Sequence, residues 1–195
     1  MSTFLSQFFF DSFWATSSRE IKWQQKIKEI IMKCSDLKKV LARIYFRIDT
    51  VGEEKIDNTV FTYAGALAAA ADVVVLAVKP RVVPAVTVRI SDALAASRPL
   101  VVSIAAGIGL ARLESLLPEG ARVVRAMPNM AAGVGQSMTA LTAGAAADES
   151  DLATARALMD SVGRTVLIAE EDFSIFVGLA GSAPAFISRL GARTF

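Results

Sequence analysis

Ala71-Asp72-Val73-Val74-Val75-Leu76-Ala77-Val78-Lys79-Pro80 is the segment that gives the first indication of a fold. Its apolar run, Val73 to Val78, follows an alanine-rich stretch and stops at Lys79-Pro80. A short run of β-branched residues that ends at a proline is typical of a strand buried on both faces, as in a parallel sheet. Ligands of open α/β sheets bind beside the carboxyl ends of the strands, so Lys79 would lie at the ligand-binding edge.

Strand and helix patterns alternate along the rest of the chain. Four further strands are predicted, at Leu100–Ala105, Arg122–Ala126, Met138–Leu141 and Arg164–Ala169. Helices are predicted at Ala64–Ala70, Val82–Ala96, Leu110–Leu117, Asp148–Val162, Asp172–Leu179 and Pro184–Leu190. Acidic residues in the first turn and Gly163 at the end mark the helix that begins at Asp148. The alternation predicts an α/β fold with a doubly wound, mostly parallel sheet.

Composition excludes several kinds of site. No histidine occurs among the 195 residues, which excludes Ser-His-Asp and Cys-His catalysis and any zinc site that needs imidazole. No metal site is predicted, and the chemistry is expected to come from a cofactor. A formal net charge of +2 is too small to indicate binding to nucleic acid. No stretch of about 18 apolar residues predicts a membrane span.

The cellular compartment is predicted from cysteine content and from the first residues. A single cysteine, Cys34, cannot form an internal disulfide, which suits a reducing compartment. The first 14 residues contain no basic residue and include Asp11, unlike a secretory signal or an arginine-rich mitochondrial presequence. A cytoplasmic location is therefore predicted in preference to a mitochondrial one.

A change in composition near residue 60 predicts two segments, 1–60 and 61–195. Lysine is common before the change, whereas arginine and alanine dominate after it. Residues 1–60 are predicted to contain a long amphipathic helix with apolar residues alternately four and three apart. These residues are Trp23, Ile27, Ile30, Cys34, Leu37, Leu41 and Ile44. The helix either packs on its own domain or forms a coiled coil with a partner, and the pattern leaves both open.

Small or polar residues follow three of the predicted strands. Lys79-Pro80 follows the first, Ser103-Ile104-Ala105-Ala106-Gly107 the second, and Arg125-Ala126-Met127-Pro128-Asn129 the third. Small side chains let a ligand approach the backbone closely. Each segment alone could be an ordinary turn, but three at one sheet edge indicate a ligand site. The pair Gly107-Ile108-Gly109 is not a dinucleotide fingerprint, because Arg112 occupies the third glycine position.

Four segments, read in order, resemble pyrroline-5-carboxylate reductase. They are Ala77–Pro80, Ser103–Gly107, Arg125–Asn129 and Gly181–Ala185, and the resemblance runs from about Ala64 to Arg193. It implies an incomplete Rossmann-like domain that ends in the start of a helical region. The implied reaction is reduction of 1-pyrroline-5-carboxylate to L-proline with NADPH or NADH. A homo-oligomer is typical of that family.

The resemblance also implies positions for individual residues. Ala77, Val78, Lys79 and Pro80 would lie along the nicotinamide ribose, and Ile104, Ala105 and Ala106 would contact the cofactor from the next loop. Asn129 would shape the nicotinamide end of the site, and Glu171 would lie near the substrate. An acidic residue at a helix start, favoured by the helix dipole, is the other interpretation of Glu171. No catalytic residue is identified.

The chain departs from the family pattern at both ends. The glycine-rich turn that would hold the pyrophosphate is missing, since residues 1–60 contain one glycine, Gly52. The family's helical dimerisation domain would follow residue 195. Met130 and Ala183 replace the usual threonine and glycine. The alternative function is therefore a non-catalytic, truncated or fused derivative whose N-terminal helix mediates association.

Overall fold

The fold is seen in a computed structural model that describes residue 65 and residues 68–183. The described strands are β1 (Val73–Leu76), β2 (Leu100–Ser103), β3 (Val123–Met127), β4 (Ser137–Ala143) and β5 (Gly163–Leu167). The α-helices are α1 (Val83–Ser97), α2 (Leu110–Leu116), α3 (Glu149–Asp160) and α4 (Phe173–Phe176). Short 3-10 helices span Pro80–Val82, Met130–Val134 and Glu170–Asp172, and a π-helical segment spans Val177–Ser182. The predicted helices within 1–60 and at Pro184–Leu190, and the boundary near residue 60, lie outside these residues.

The strands form one sheet in the order β1-β2-β3-β4-β5. Strands β1, β2 and β3 are parallel, β4 is antiparallel to β3, and β5 is parallel to β4. The predicted mostly parallel α/β sheet is therefore confirmed, with one reversal that the sequence pattern did not indicate. The reversal occurs because a nine-residue connection, 128–136, cannot hold the long crossover that a parallel neighbour requires.

Helices cover both faces of this sheet, which makes it doubly wound. On one face Val74, Val101 and Val123 pack with residues of α1 and α2. On the other face Val73, Val102 and Val124 pack with residues of α3. Because successive residues of a strand point to opposite faces, burial on both sides requires the continuous valine runs seen in the sequence.

Several predicted strand ends were wrong by two residues. The first strand ends at Leu76 rather than Val78, and the second ends at Ser103 rather than Ala105. Val78 and Ala105 are nevertheless buried, with 7% and 5% of their surfaces exposed. An apolar run therefore continued past the last ladder residue, because the turn that follows each strand also packs on the core.

Gly163 does not close the helix before it, contrary to the prediction. Helix α3 ends at Asp160, with Ser161 as its C-cap, and Gly163 is the first residue of β5. Gly163 pairs with Ser137 of β4. A Cβ atom at Gly163 would lie 2.0 Å from the Ser137 carbonyl oxygen. Glycine is needed here because the two backbones approach too closely for any side chain.

The acidic start of α3 is confirmed, as a reciprocal capping box. The Asp151 N–H donates to Asp148 Oδ1 (2.9 Å), and the Asp148 N–H donates to Asp151 Oδ2 (3.2 Å). The buried Asp151 also pairs with Arg122 (2.7 Å), whose other nitrogen donates to the Arg98 carbonyl (2.8 Å). This network joins α3 to the start of β3 and to the end of α1.

Asp148 is expected to make part of the stability pH-dependent. The hydrogen bond from the Asp151 N–H, followed by one from Ser150, lowers the pKa of Asp148 below its ordinary value. Its stabilising effect is therefore complete above the unfolded-state pKa, about 4, and is lost as pH falls through the lower folded-state pKa. Asp148→Asn should melt below wild type at pH 6, and this difference should shrink as pH falls towards about 3.

Circular-dichroism melts of both proteins between pH 6 and pH 3 measure this difference. Asp160→Asn, at the exposed last residue of α3, is the matched control for loss of one carboxylate. Melting curves of wild type and Asp148→Asn that stay equally far apart at every pH would contradict the assignment.

Candidate functional site

The first two predicted site loops lie side by side at the carboxyl edge of the parallel strands. The Ile104 N–H donates to the Leu76 carbonyl (3.1 Å), which holds the loop after β2 against the end of β1. Lys79, Pro80 and Ala106 are exposed along this edge. A ligand could therefore reach side chains and backbone from both loops.

Burial separates the predicted cofactor residues into two kinds. Val78 and Ala105 are buried, so a ligand could reach only their backbone groups. Ala77 and Ile104 are half-buried. Gly107 has φ of +77°, a left-handed conformation that glycine adopts without strain, and it is exposed beside Ala106. The loop thus presents backbone and small side chains, as an approaching dinucleotide requires.

Asn129 holds the turn after β3 in place. Its Oδ1 accepts from the Ala131 N–H (3.2 Å), and its Nδ2 donates to the Ala180 carbonyl (3.0 Å). In an α-helical turn that carbonyl would accept the N–H of residue 184, but residue 184 is a proline and has none. Asn129 therefore supplies a donor to a carbonyl that Pro184 cannot serve. Its predicted contact with a cofactor stays a prediction.

The helical region after β5 is longer than predicted. Instead of a helix from Asp172 to Leu179, helical turns of three kinds run from Glu170 to Ser182. Gly181 and Ser182 lie within the π-helical segment rather than in a break between two helices. The missing N–H of Pro184 favours a locally altered hydrogen-bond register, and such π-helical turns are frequent at functional sites.

Glu171 is exposed in the 3-10 helix that follows β5. Among the described residues it has no contact that would assign it to a site, so its contact with substrate stays a prediction. Its neighbour Glu170 is turned towards the sheet and pairs with Arg125 of β3 (Nη1 to Oε1, 2.5 Å). The sequence analysis missed this pair as part of the site. One feature of the sequence could have indicated a buried ion pair: the charged Arg125 interrupts the apolar strand Val123–Met127.

A compact cluster surrounds the carboxylate of Glu170. Its Oε1 also accepts from the Leu110 N–H (3.1 Å), at the first residue of α2. The Arg125 guanidinium carbon lies 4.0 Å from the centre of the Phe173 ring, within cation–π distance. A Cβ at Gly109 would come within 2.9 Å of Glu170 Oε1, so this glycine makes room for the carboxylate. The second glycine of the Gly107-Ile108-Gly109 segment therefore serves packing.

Residues that could hold a metal ion do not cluster in the described part of the chain. No group of three or more Cys, Asp or Glu side chains there has a suitable arrangement. Residues 68–183 likewise contain no helix long and apolar enough to cross a bilayer.

Comparison with known proteins finds several that are similar to this chain. A family model described as "NADP oxidoreductase coenzyme F420-dependent" matches residues 23–107. A pyrroline-5-carboxylate reductase of Methanosarcina acetivorans is 36% identical over 151 residues, which are 77% of this chain and 51% of the relative. The matched part of this chain is therefore similar to pyrroline-5-carboxylate reductases. The family-model match begins at residue 23, so the similarity extends further upstream than the motifs near Ala64 indicated.

Solved pyrroline-5-carboxylate reductases share the fold as well. The enzyme from Coxiella burnetii is 36% identical and superimposes with a TM-score of 0.59, over 62% of this chain and 45% of that one. The Plasmodium falciparum reductase, solved with NADP bound, is 26% identical with a TM-score of 0.60, over 65% of this chain and 47% of that one. The chain spans about half the length of the pyrroline-5-carboxylate reductases it matches.

Proposed function

We propose that this chain forms the nucleotide-binding part of an NADPH- or NADH-dependent reductase that converts 1-pyrroline-5-carboxylate to L-proline. The observation that carries the proposal is the joined pair of loops after β1 and β2, tied by the bond from the Ile104 N–H to the Leu76 carbonyl. These loops contain the segments that resemble the reductases. A named relative with NADP bound has the same fold.

The residues at this edge suit a nicotinamide dinucleotide. The backbone from Ala77 to Pro80 and from Ile104 to Ala106 would hold its ribose, and Asn129 would shape the turn beside the nicotinamide. Exposed Ala106 and Gly107 leave the approach open. Lys79 would attract the phosphates by charge. Part of the pyrophosphate site is expected to come from outside residues 68–183.

The bound nicotinamide would supply a hydride to the carbon of the imine, while the imine nitrogen gains or already holds a proton. The chain itself would position the two reactants and exclude water between them. Glu171 would lie near the substrate from the turn after β5. We propose a cytoplasmic, homo-oligomeric protein, from the single cysteine and from the resemblance to a family in which homo-oligomers are typical.

The test is a fluorescence titration of the full chain with NADPH, followed by NADPH oxidation in the presence of 1-pyrroline-5-carboxylate. Saturable micromolar binding and substrate-dependent oxidation are expected. Lys79→Ala should raise the Kd about tenfold, through loss of one charge-assisted phosphate contact. Arg156→Ala, on the exposed surface of α3, is the matched control for loss of one positive charge.

Two results would count against the proposal. Absence of binding at millimolar NADPH would favour the alternative, a non-catalytic derivative of a reductase. Binding without substrate-dependent oxidation would support the nucleotide site but contradict the proposed reaction.

A further inference from the structure

Arg125 is the one charged side chain that is buried within a strand of the described sheet. The β2–β3 register places it opposite Ser103, the last residue of β2. It therefore lies at the base of the loop that runs from residue 104 to residue 109. A charge at this depth needs a partner, and Glu170 provides it.

The carboxylate of Glu170 connects three parts of the chain that are distant in sequence. A single oxygen, Oε1, accepts from Arg125 in β3 and from the N–H of Leu110, at the end of the loop after β2. Glu170 itself belongs to the 3-10 helix after β5, and Arg125 lies over the ring of Phe173, the first residue of α4. The pair thus links loop 104–109 to the segment that carries Glu171.

Stability alone does not account for this arrangement. Apolar side chains of similar volume commonly replace a buried ion pair without loss of stability. The other oxygen, Glu170 Oε2, is also buried, and no group among the described residues hydrogen-bonds to it. Retaining a strand-embedded arginine with its carboxylate partner therefore suggests a geometric requirement at the adjoining edge.

We propose that Arg125 and Glu170 are a positioning pair for hydride transfer. The pair fixes loop 104–109 and the turn at Glu170–Asp172 at a set separation, and through them the cofactor and the substrate. Neither side chain needs to touch the reacting atoms. This inference rests on the proposed reductase function. Small errors in the placement of reactants reduce the rate of a hydride transfer strongly while binding changes little.

The test compares Glu170→Gln and Arg125→Lys in the full chain. Glu170→Gln keeps the side-chain shape and removes the charge, whereas Arg125→Lys keeps the charge and removes the planar group stacked on Phe173. Each variant should lower kcat about tenfold to thirtyfold, with the KM for NADPH within about threefold of wild type. Glu119→Gln and Arg156→Lys, both at exposed positions, are the matched controls and should retain wild-type kcat.

Amide hydrogen exchange at Leu110 gives a second readout that does not depend on turnover. Glu170→Gln should speed this exchange about tenfold, because a neutral acceptor binds the N–H less strongly than a carboxylate. The double variant should lose no more kcat than the worse single variant, since both substitutions break one unit.

Three results separate the possibilities. Faster Leu110 exchange together with a lowered kcat supports the proposal. Unchanged kcat in both variants of an active enzyme overturns it and leaves the reductase function intact, whatever the exchange rate. An inactive wild-type chain contradicts the proposed reductase function, and it also overturns the positioning role, which depends on that function.

Discussion

Gly163→Ala is expected to destabilise the protein by about 3 kcal/mol or more, a loss typical of severe overpacking. The added Cβ would lie 2.0 Å from the carbonyl oxygen and 2.3 Å from the nitrogen of Ser137, well inside van der Waals contact. Both atoms belong to backbone, so no side-chain rotation can relieve the clash. Strands β4 and β5 would have to separate at their paired ends.

Thermal unfolding followed by circular dichroism measures this effect. For a chain of this size, 3 kcal/mol corresponds to a fall in Tm of roughly 6–12 °C. Gly178→Ala is the matched control, because a Cβ there meets nothing within 4 Å. Since Gly178 lies in a helical segment, alanine should leave Tm unchanged or raise it slightly. Equal Tm values for Gly163→Ala and wild type would show that the two strands are not paired this closely.

Ala106→Glu is expected to weaken NADPH binding about 100-fold, equivalent to about 2.7 kcal/mol. Ala106 is exposed in the loop after β2, so the substitution should leave the fold intact. The longer side chain would occupy the approach to the backbone, and its charge would repel the cofactor phosphates. Tm should stay within about 2 °C of wild type, as for most exposed substitutions.

The fluorescence titration with NADPH checks this result against two controls. Ala106→Ser keeps a small side chain and should bind almost as wild type. Ala153→Glu adds the same charge on exposed α3, across the sheet from this loop, and should also bind normally. An unchanged Kd for Ala106→Glu would place the cofactor elsewhere.

The sheet could be predicted largely because its valine runs record burial on both faces. Val73–Leu76 and Leu100–Ser103 have no polar alternation, and only strands between two helical layers need none. The ends of the strands were less accurate, because burial of Val78 and Ala105 continues beyond the hydrogen-bonded ladder. Hydrophobicity reports burial rather than backbone pairing.

The site was predicted in part. The loops at Lys79 and Ala106 follow from small residues at strand ends, a local pattern that a single sequence displays. The Arg125–Glu170 pair depends on two residues 45 positions apart, and only the folded sheet brings them together. The role of Gly163 was also misjudged, because its close neighbour Ser137 belongs to a different strand. Local patterns do not encode such contacts.

Because β4 reverses direction, the entropy cost of closing the connection between neighbouring strands differs along the described sheet. Only nine residues, 128–136, connect β3 to β4, whereas 19 residues connect β2 to β3 and 23 connect β1 to β2. Loop closure costs about 0.6 kcal/mol more for each doubling of length. The antiparallel pair therefore forms with the smallest ordering cost of any neighbouring strands here. The ends of β3 and β4 are thus the easiest of the neighbouring strand ends here to bring together.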